Sequence, residues 1–229
     1  MKFFQHLRNP GINRADYKNF TEPKEASDWG ATHYGDWSIA YSNDEPNRVK
    51  NSVGIYAKNP IECYCGNVYR DINPPLWNDM EFRDDQLLEM DAALHSIIQN
   101  APRIPEPIVV YRLEGSRTVE LLDNALRRHE NLAYKSYMST SLLASIANRT
   151  GANYGDRRAL MRLYLPAGTA GIYVDKICNR EEYEVVFQKG RVLRVLERHR
   201  HQIIGYRHDN RTGKDVSVIK DLYDCAIVG

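Results

Sequence analysis

The chain has 229 residues, 42% of them hydrophobic, which is enough to build a sizeable core at the upper end of single-domain length. Thirty-one Lys and Arg nearly cancel 30 Asp and Glu, so the net charge of +1 gives no bulk argument for nucleic acid or a membrane surface. Cys63, Cys65, Cys178 and Cys225 include no second Cys/His pair at zinc-finger spacing, which favours reduced thiols over a metal site; repeats and low-complexity tracts are absent.

In chain order, Met1 to Arg8 is too short in apolar run for a secretion signal, and no stretch is long and apolar enough to span a bilayer. Residues 1–45 are polar, punctuated by Trp and Gly and weakly periodic, and read as an irregular arm or short helices ahead of a domain at 46–229. From Pro46, the recurrence of Val49, Val53 and Tyr56 predicts a helix. A stronger helix is expected after Asp84, a good N-cap, through Leu87, Met90, Leu94, Ile97 and Ile98, stopping before Pro102. Pro107 to Arg112 is a buried-strand run that ends on a fixed cation. A third helix covers Val119 to Leu126; short strands dominate from Ser136, the last expected over Val216 to Val228. Helices first and strands later predict an α+β domain.

The chemistry concentrates at strand ends. Glu182 and Glu184 are two apart, so in an extended segment both carboxylates face one ligand. Paired carboxylates suit a glycosyl-type reaction, one stabilising positive charge on a sugar carbon and the other handling a proton or the nucleophile. Exposed Glu-x-Glu also occurs on ordinary surface strands, so its company decides its meaning. Arg112 can grip a diphosphate, and the hydroxyls of Ser139, Thr140 and Ser141 can fix a neighbouring carboxylate and hydrogen-bond a ribose.

Arginine, then Ser-Thr-Ser, then Glu-x-Glu, in that order, resembles the arginine/serine/glutamate class of mono-ADP-ribosyltransferases, the cholera-toxin-like class of bacterial toxins and effectors. Further segments fall in family order: Ile55-Tyr56, Gly66, Tyr69 to Asn73 with Leu76, the proline-marked entry at 101–107, Ala159 to Gly168, Gly171 to Val174, and Gly190 to Val195. The resemblance covers about residues 46 to 229 and implies two facing, mainly antiparallel β-sheets forming an NAD cleft, with helices packed alongside. It implies NAD as substrate and no metal.

Carried over residue by residue, the resemblance gives Arg112 the phosphates and Leu113 the place of a glycine that approaches nicotinamide. Ser139 would bond Glu184 and the nicotinamide ribose, with Thr140 and Ser141 shaping the strand end. Glu184 would hold the ribose and stabilise the oxocarbenium ion, while Glu182 would orient and deprotonate the acceptor. Tyr183 would line the acceptor surface or simply pack. In the loop after Ser-Thr-Ser, Tyr154 is the expected nicotinamide stacker and Arg157 or Arg158 the expected phosphate partner. Glu rather than Gln at 182 goes with arginine acceptors, so a target protein carrying an acceptor arginine is expected, with actin, a small GTPase or another host protein among the candidates. The resemblance also implies a secreted effector acting in host cytoplasm, for which residues 1–45 would serve delivery or target selection. The alternatives are an NAD glycohydrolase, a catalytically degenerate NAD- or protein-binding module, and a nucleic-acid transferase using Arg198-His199-Arg200-His201. That basic run also fits a solvated strand end.

Overall fold

A computed structural model describes residues 12–43, 49–50, 56–148 and 157–228. The first long element is a single helix, α1 (Pro23–Asn43), in place of the expected irregular arm or short helices. Its buried residues Ala26, Trp29, Gly30, Tyr34, Ser38 and Tyr41 recur at three- and four-residue spacing. That stripe is built from small residues and polar-tipped aromatics, so it escapes a reading that counts aliphatic residues. Trp29 lies edge-on to Phe20 and to Tyr173, and the Tyr34 hydroxyl donates to the Gly171 carbonyl at 3.2 Å.

The helix expected from Pro46 is not formed by its described residues. β1 (Val49–Lys50) and β2 (Tyr56–Lys58) pair antiparallel instead. Three apolar residues at helical spacing are a weak signal when all three, Val49, Val53 and Tyr56, are of types that also favour strands. Next come α2 (Pro60–Cys63), capped by a reciprocal Asn59–Glu62 capping box, a π-helical turn at Tyr64–Val68, and α3 (Tyr69–Asn78). α4 (Asp85–Asn100) starts where expected: the Asp84 side chain accepts from the Leu87 N–H at 2.9 Å, and Leu87, Leu94 and Ile98 are buried.

The remaining elements are β3 (Ile108–Gly115), α5 (Ser116–Arg128), β4 (Asn131–Tyr134), β5 (Met138–Ser141), a 3₁₀ turn (Ala144–Asn148), β6 (Arg157–Leu165), β7 (Gly171–Tyr173), α6 (Asp175–Cys178), β8 (Glu184–Phe187), β9 (Arg191–Asp209) and β10 (Lys214–Ile227). The strands from β3 onward form an eight-stranded sheet in the order β4-β9-β10-β6-β3-β5-β8-β7, antiparallel throughout except for the β10–β6 pair. The two expected sheets are therefore two halves of one hydrogen-bonded sheet. Five strands from β4 to β3 meet three strands from β5 to β7 through one register pair, Tyr111 opposite Ser141.

Strand alternation sorts the core. Ile108 and Val110 of β3 join Met161, Leu163 and Leu165 of β6 in a main core shared with the helices. Val109, Tyr111 and Leu113 join Leu160 and Tyr164 in a second cluster on the other face. No helix among the described residues is long and apolar enough to cross a membrane.

Helix α1 is seated by close backbone approach. A Cβ on Gly30 would meet the Tyr173 ring at 2.3 Å, whereas one on Gly35 would meet nothing within 4 Å. Gly30→Ala is expected to lower unfolding stability by roughly 1–3 kcal/mol through overpacking, and Gly35→Ala to raise it by about 0.5–1 kcal/mol through helix propensity. Chemical denaturation of the two variants checks this opposition of sign.

Candidate active site

The pinch between the sheet halves opens into a cavity of about 650 Å³. Its walls come from β3 (Arg112, Leu113), β5 (Ser139, Thr140, Ser141), the entry to β8 (Glu181, Glu182, Glu184), Arg157, and the π-turn with α3 (Tyr64, Asn67, Arg70, Asn73). Eight of the residues singled out from sequence, Arg112, Leu113, Ser139, Thr140, Ser141, Arg157, Glu182 and Glu184, are thus brought to one cavity. Tyr154 lies outside the described residues.

Arg112 is held by buried acceptors. Its Nε donates to Glu114 Oε1 at 2.8 Å and its Nη1 to the Ser139 carbonyl at 2.5 Å, with the Tyr134 ring centroid 5.9 Å from the guanidinium carbon. Burial works against the charge, but Tyr134, Glu114 and Tyr64 outweigh it and raise the pKa, so the side chain is a permanent cation. The Ser139 contact ties β3 to β5 at the pinch, while the ion pair within β3 fixes the guanidinium that makes it.

The glutamate segment departs from the extended geometry expected. β8 begins at Glu184, and Tyr183 sits in the left-handed region at φ 53°. Strand alternation therefore does not explain why Glu182 and Glu184 share a cavity; a local clamp does. Asp175, at the start of α6, accepts from the Tyr183 N–H at 2.6 Å and the Glu184 N–H at 2.9 Å. The Ser141 hydroxyl donates to the Glu182 carbonyl at 2.9 Å, and the Leu142 N–H donates to the Tyr183 carbonyl at 2.9 Å. The Tyr183 side chain packs against the main core.

The hydroxyls near the site divide by role. Thr140 donates to the Val185 carbonyl at 2.9 Å, and Ser141 is engaged with Glu182 and with the Leu143 N–H, so both hold β5 against β8. Ser139 is the hydroxyl that acts on the Glu184 carboxyl, lowering its pKa against a larger effect of burial. Burial comes first, the Glu182 and Asp175 charges add to it, Arg180 opposes, and the Glu184 pKa is pushed up to about 7. Glu184 is 7% exposed, and its Oε2 is buried with no hydrogen-bond partner among the described residues. Asn73 Oδ1 shares that condition across the cavity, its Nδ2 donating to the Tyr64 hydroxyl at 3.1 Å. Two unsatisfied acceptors lining one cavity fit a ligand that brings hydroxyl or amide donors.

Asp175, Arg180, Tyr64 and Asn73 were not singled out from sequence as site residues. Asn73 could have been, since it closes the Tyr69-to-Asn73 segment already matched to the family pattern. Asp175 carries no sequence signal. A separate trio, Glu197, His199 and Asp224, brings three potential metal-ligand atoms within 4.8 Å of one another. Guanidinium groups already serve it: Arg162 pairs with Asp224 at 2.7 Å, and Arg14 pairs with Glu197 at 2.9 Å and Asp224 at 3.1 Å.

The cavity sets a fixed cation against a buried carboxylate on a sheet pinched in two. The chain belongs to the ADP-ribosyltransferase exoenzyme family, whose model matches residues 26–220. It is 25% identical over 178 residues to an NAD(+)–arginine ADP-ribosyltransferase of enterobacteria phage T2, an alignment covering 67% of this chain and 25% of that protein; a phage T6 counterpart matches equally. The chain thus spans about a quarter of the length of these curated relatives. Similar solved structures include the ADP-ribosylating toxin BECa of a C. perfringens binary enterotoxin, with TM-score 0.65, 21% identity and coverage of 93% of this chain and 50% of that one. The Paenibacillus larvae toxin Plx2a gives TM-score 0.63 at 15% identity, covering 91% of this chain and 98% of that one.

The raised Glu184 pKa has a thermodynamic consequence. Between about 4.5 and 7 the unfolded chain ionises this group before the folded protein does, so the charge destabilises the fold increasingly as pH rises through that window. Glu184→Gln is expected to raise unfolding stability at pH 8 by roughly 1–3 kcal/mol, with the gain vanishing by pH 4. Melting temperatures of both proteins across pH 4–8 check the sign.

Proposed function

We propose that the cavity binds NAD as substrate and transfers its ADP-ribosyl group to an arginine of a target protein, in an enzyme of the bacterial toxin or effector type. The observation that carries this reading is the buried Glu184 carboxylate with an unpartnered oxygen, lining the same cavity as the Arg112 cation. Support comes from family membership and from the likeness to phage arginine transferases.

In this reading Arg112 takes the diphosphate, and Arg157 assists at the cavity rim. Glu184 accepts from the nicotinamide ribose 2′-hydroxyl, with Ser139 holding its rotamer. The bond between ribose C1′ and nicotinamide breaks heterolytically, and the electron pair leaves with nicotinamide. The ionised Glu184 stabilises the positive charge left on the ribose. An arginine nitrogen of the target then bonds to C1′, and Glu182 receives the proton that the guanidinium must lose. Leu113 replaces the glycine expected beside nicotinamide, and its backbone makes the amide contact. Tyr154 is the nicotinamide stacker in the same proposal.

The catalytic body includes α1, which shares the main core with the sheet; any delivery or target-selection role of residues 1–45 then falls to the part before it. Secretion and action in a host cytoplasm are part of the same proposal, supported by likeness to bacterial toxins.

Transfer of biotin from labelled NAD to proteins of a eukaryotic lysate, with modified sites mapped by mass spectrometry, tests the reading. Wild type is expected to give discrete bands modified on arginine, with a rate that rises with pH through about 7 as Glu184 ionises. Glu184→Ala should lower both labelling and NAD cleavage by about 100-fold or more, whereas Glu182→Gln should lose protein labelling and keep slow NAD hydrolysis. Labelling that survives Glu184→Ala would sink the assignment, and hydrolysis with no acceptor in any lysate would make water the acceptor.

A further inference from the structure

β9 and β10 are far longer than the sheet that holds them. β4 pairs with β9 only over Arg191 to Arg194, and β6 pairs with β10 only from Asp221 onward. Gln202 to Asp209 and Lys214 to Lys220 therefore form a two-stranded ribbon with no further strand on either edge among the described residues. Seven residues beyond the last β6 pair carry it about 20 Å past the sheet.

The ribbon leaves the sheet beside the cavity. Lys220 Nζ donates to the carbonyl of Arg157, a cavity residue, at 2.5 Å. A bulge at Ile204 turns that side chain onto the second core cluster, against which Ile146, another cavity residue, also packs. Gly205 lies so close to Asn148 of the 3₁₀ turn that a Cβ would sit 2.2 Å from its Oδ1. The base is thus anchored at the cavity rim.

The outward residues have no comparable support. Ile203 lies directly opposite Ile219, with Tyr206 near by opposite Ser217. All three are more than half exposed, at 57%, 56% and 61%, and they make up three of the seven large exposed hydrophobic residues among those described. Lone exposed apolar residues are ordinary; two facing each other on an open ribbon are not. Around them, residues 200–220 hold five Lys or Arg against two Asp in a chain whose whole net charge is +1.

We propose that this ribbon is the docking arm for the acceptor protein, seating an apolar patch rimmed by carboxylates against Ile203, Tyr206 and Ile219 while the acceptor arginine enters the cavity. This rests on the transferase reading above. A protein surface fits better than a nucleic acid because apolar side chains form the centre, and Asp209 and Asp215 stand within the cationic ribbon where a phosphate backbone would be repelled. The run Arg198 to His201 divides accordingly. Arg198 is committed to Asp123 and Asp221 at 2.8 and 2.5 Å, while Arg200 and His201 are exposed.

The test uses full-length wild type, the triple variant Ile203→Ser/Tyr206→Ser/Ile219→Ser, and the charge variant Arg207→Glu/Lys214→Glu. Each is assayed with biotinylated NAD on the most strongly labelled lysate protein, purified, and separately on agmatine, a free guanidine that needs no docking surface. Both variants should lose at least 10-fold in kcat/KM for the protein and stay within twofold for agmatine. Raising NaCl from 50 to 300 mM should weaken protein labelling by wild type more than by the charge variant. Unchanged protein labelling, or an equal fall on both acceptors, overturns the docking arm. So does loss of dimerisation, of duplex DNA binding or of binding to phosphatidylserine vesicles in the variants while protein labelling is intact. If wild type modifies neither acceptor, the transferase reading fails and the arm falls with it. Agmatine labelling with arm-independent protein labelling refutes the arm alone.

Discussion

A carboxylate held almost wholly out of water, with one oxygen unsatisfied among the described residues, is the constraint around which the cavity is organised. An orphaned buried acceptor costs roughly 1–3 kcal/mol, and burial of its charge adds to that near neutral pH. The neighbouring groups do little to relieve Glu184: Ser139 and Arg180 stabilise its charge, while Glu182 and Asp175 oppose it. In the transferase proposed above, the growing charge of an oxocarbenium ion would be the transient cation that relieves it.

Holding the carboxylate there takes geometry that the glutamates do not supply. Asp175 gathers the Tyr183 and Glu184 N–H groups, Ser141 takes the Glu182 carbonyl, and Thr140 takes the Val185 carbonyl. These bonds turn a left-handed residue and a strand start into a fixed platform, with strain at Tyr183 that the surroundings over-determine. Arg112 and Glu114 do the same from the other sheet half, so the cavity beside the Tyr111–Ser141 junction is flanked by two fixed walls. The π-turn supplies the third wall, and its altered helical spacing brings Tyr64, Cys65, Gly66 and Asn67 to the cavity together.

What could be read from the sequence follows from where the information is local. Asp84 and the apolar recurrence after it contain a cap and a period, and α4 forms as expected. Arg112, Ser139, Glu182 and Glu184 were legible because their order and chemistry are distinctive. That Glu182 and Glu184 share a cavity was foreseen for an insufficient reason, since alternation on a strand is replaced by a turn at Tyr183. α1 was hidden because Gly30, Ser38 and three tyrosine or tryptophan rings make its buried stripe, and the helix from Pro46 was read from too few residues. Asp175 and the reach of β9 and β10 were not legible. The first acts through backbone N–H groups distant from any motif, and the second depends on where neighbouring strands stop.

The most direct measurement is a ¹³C NMR titration of the Glu184 carboxyl in the free protein, assigned by comparison with Glu184→Gln. The account predicts a midpoint near 7. A midpoint at the ordinary glutamate value of about 4.5 would mean that the carboxylate is solvated or already paired, and would contradict the claim that the cavity stores an unmet negative charge.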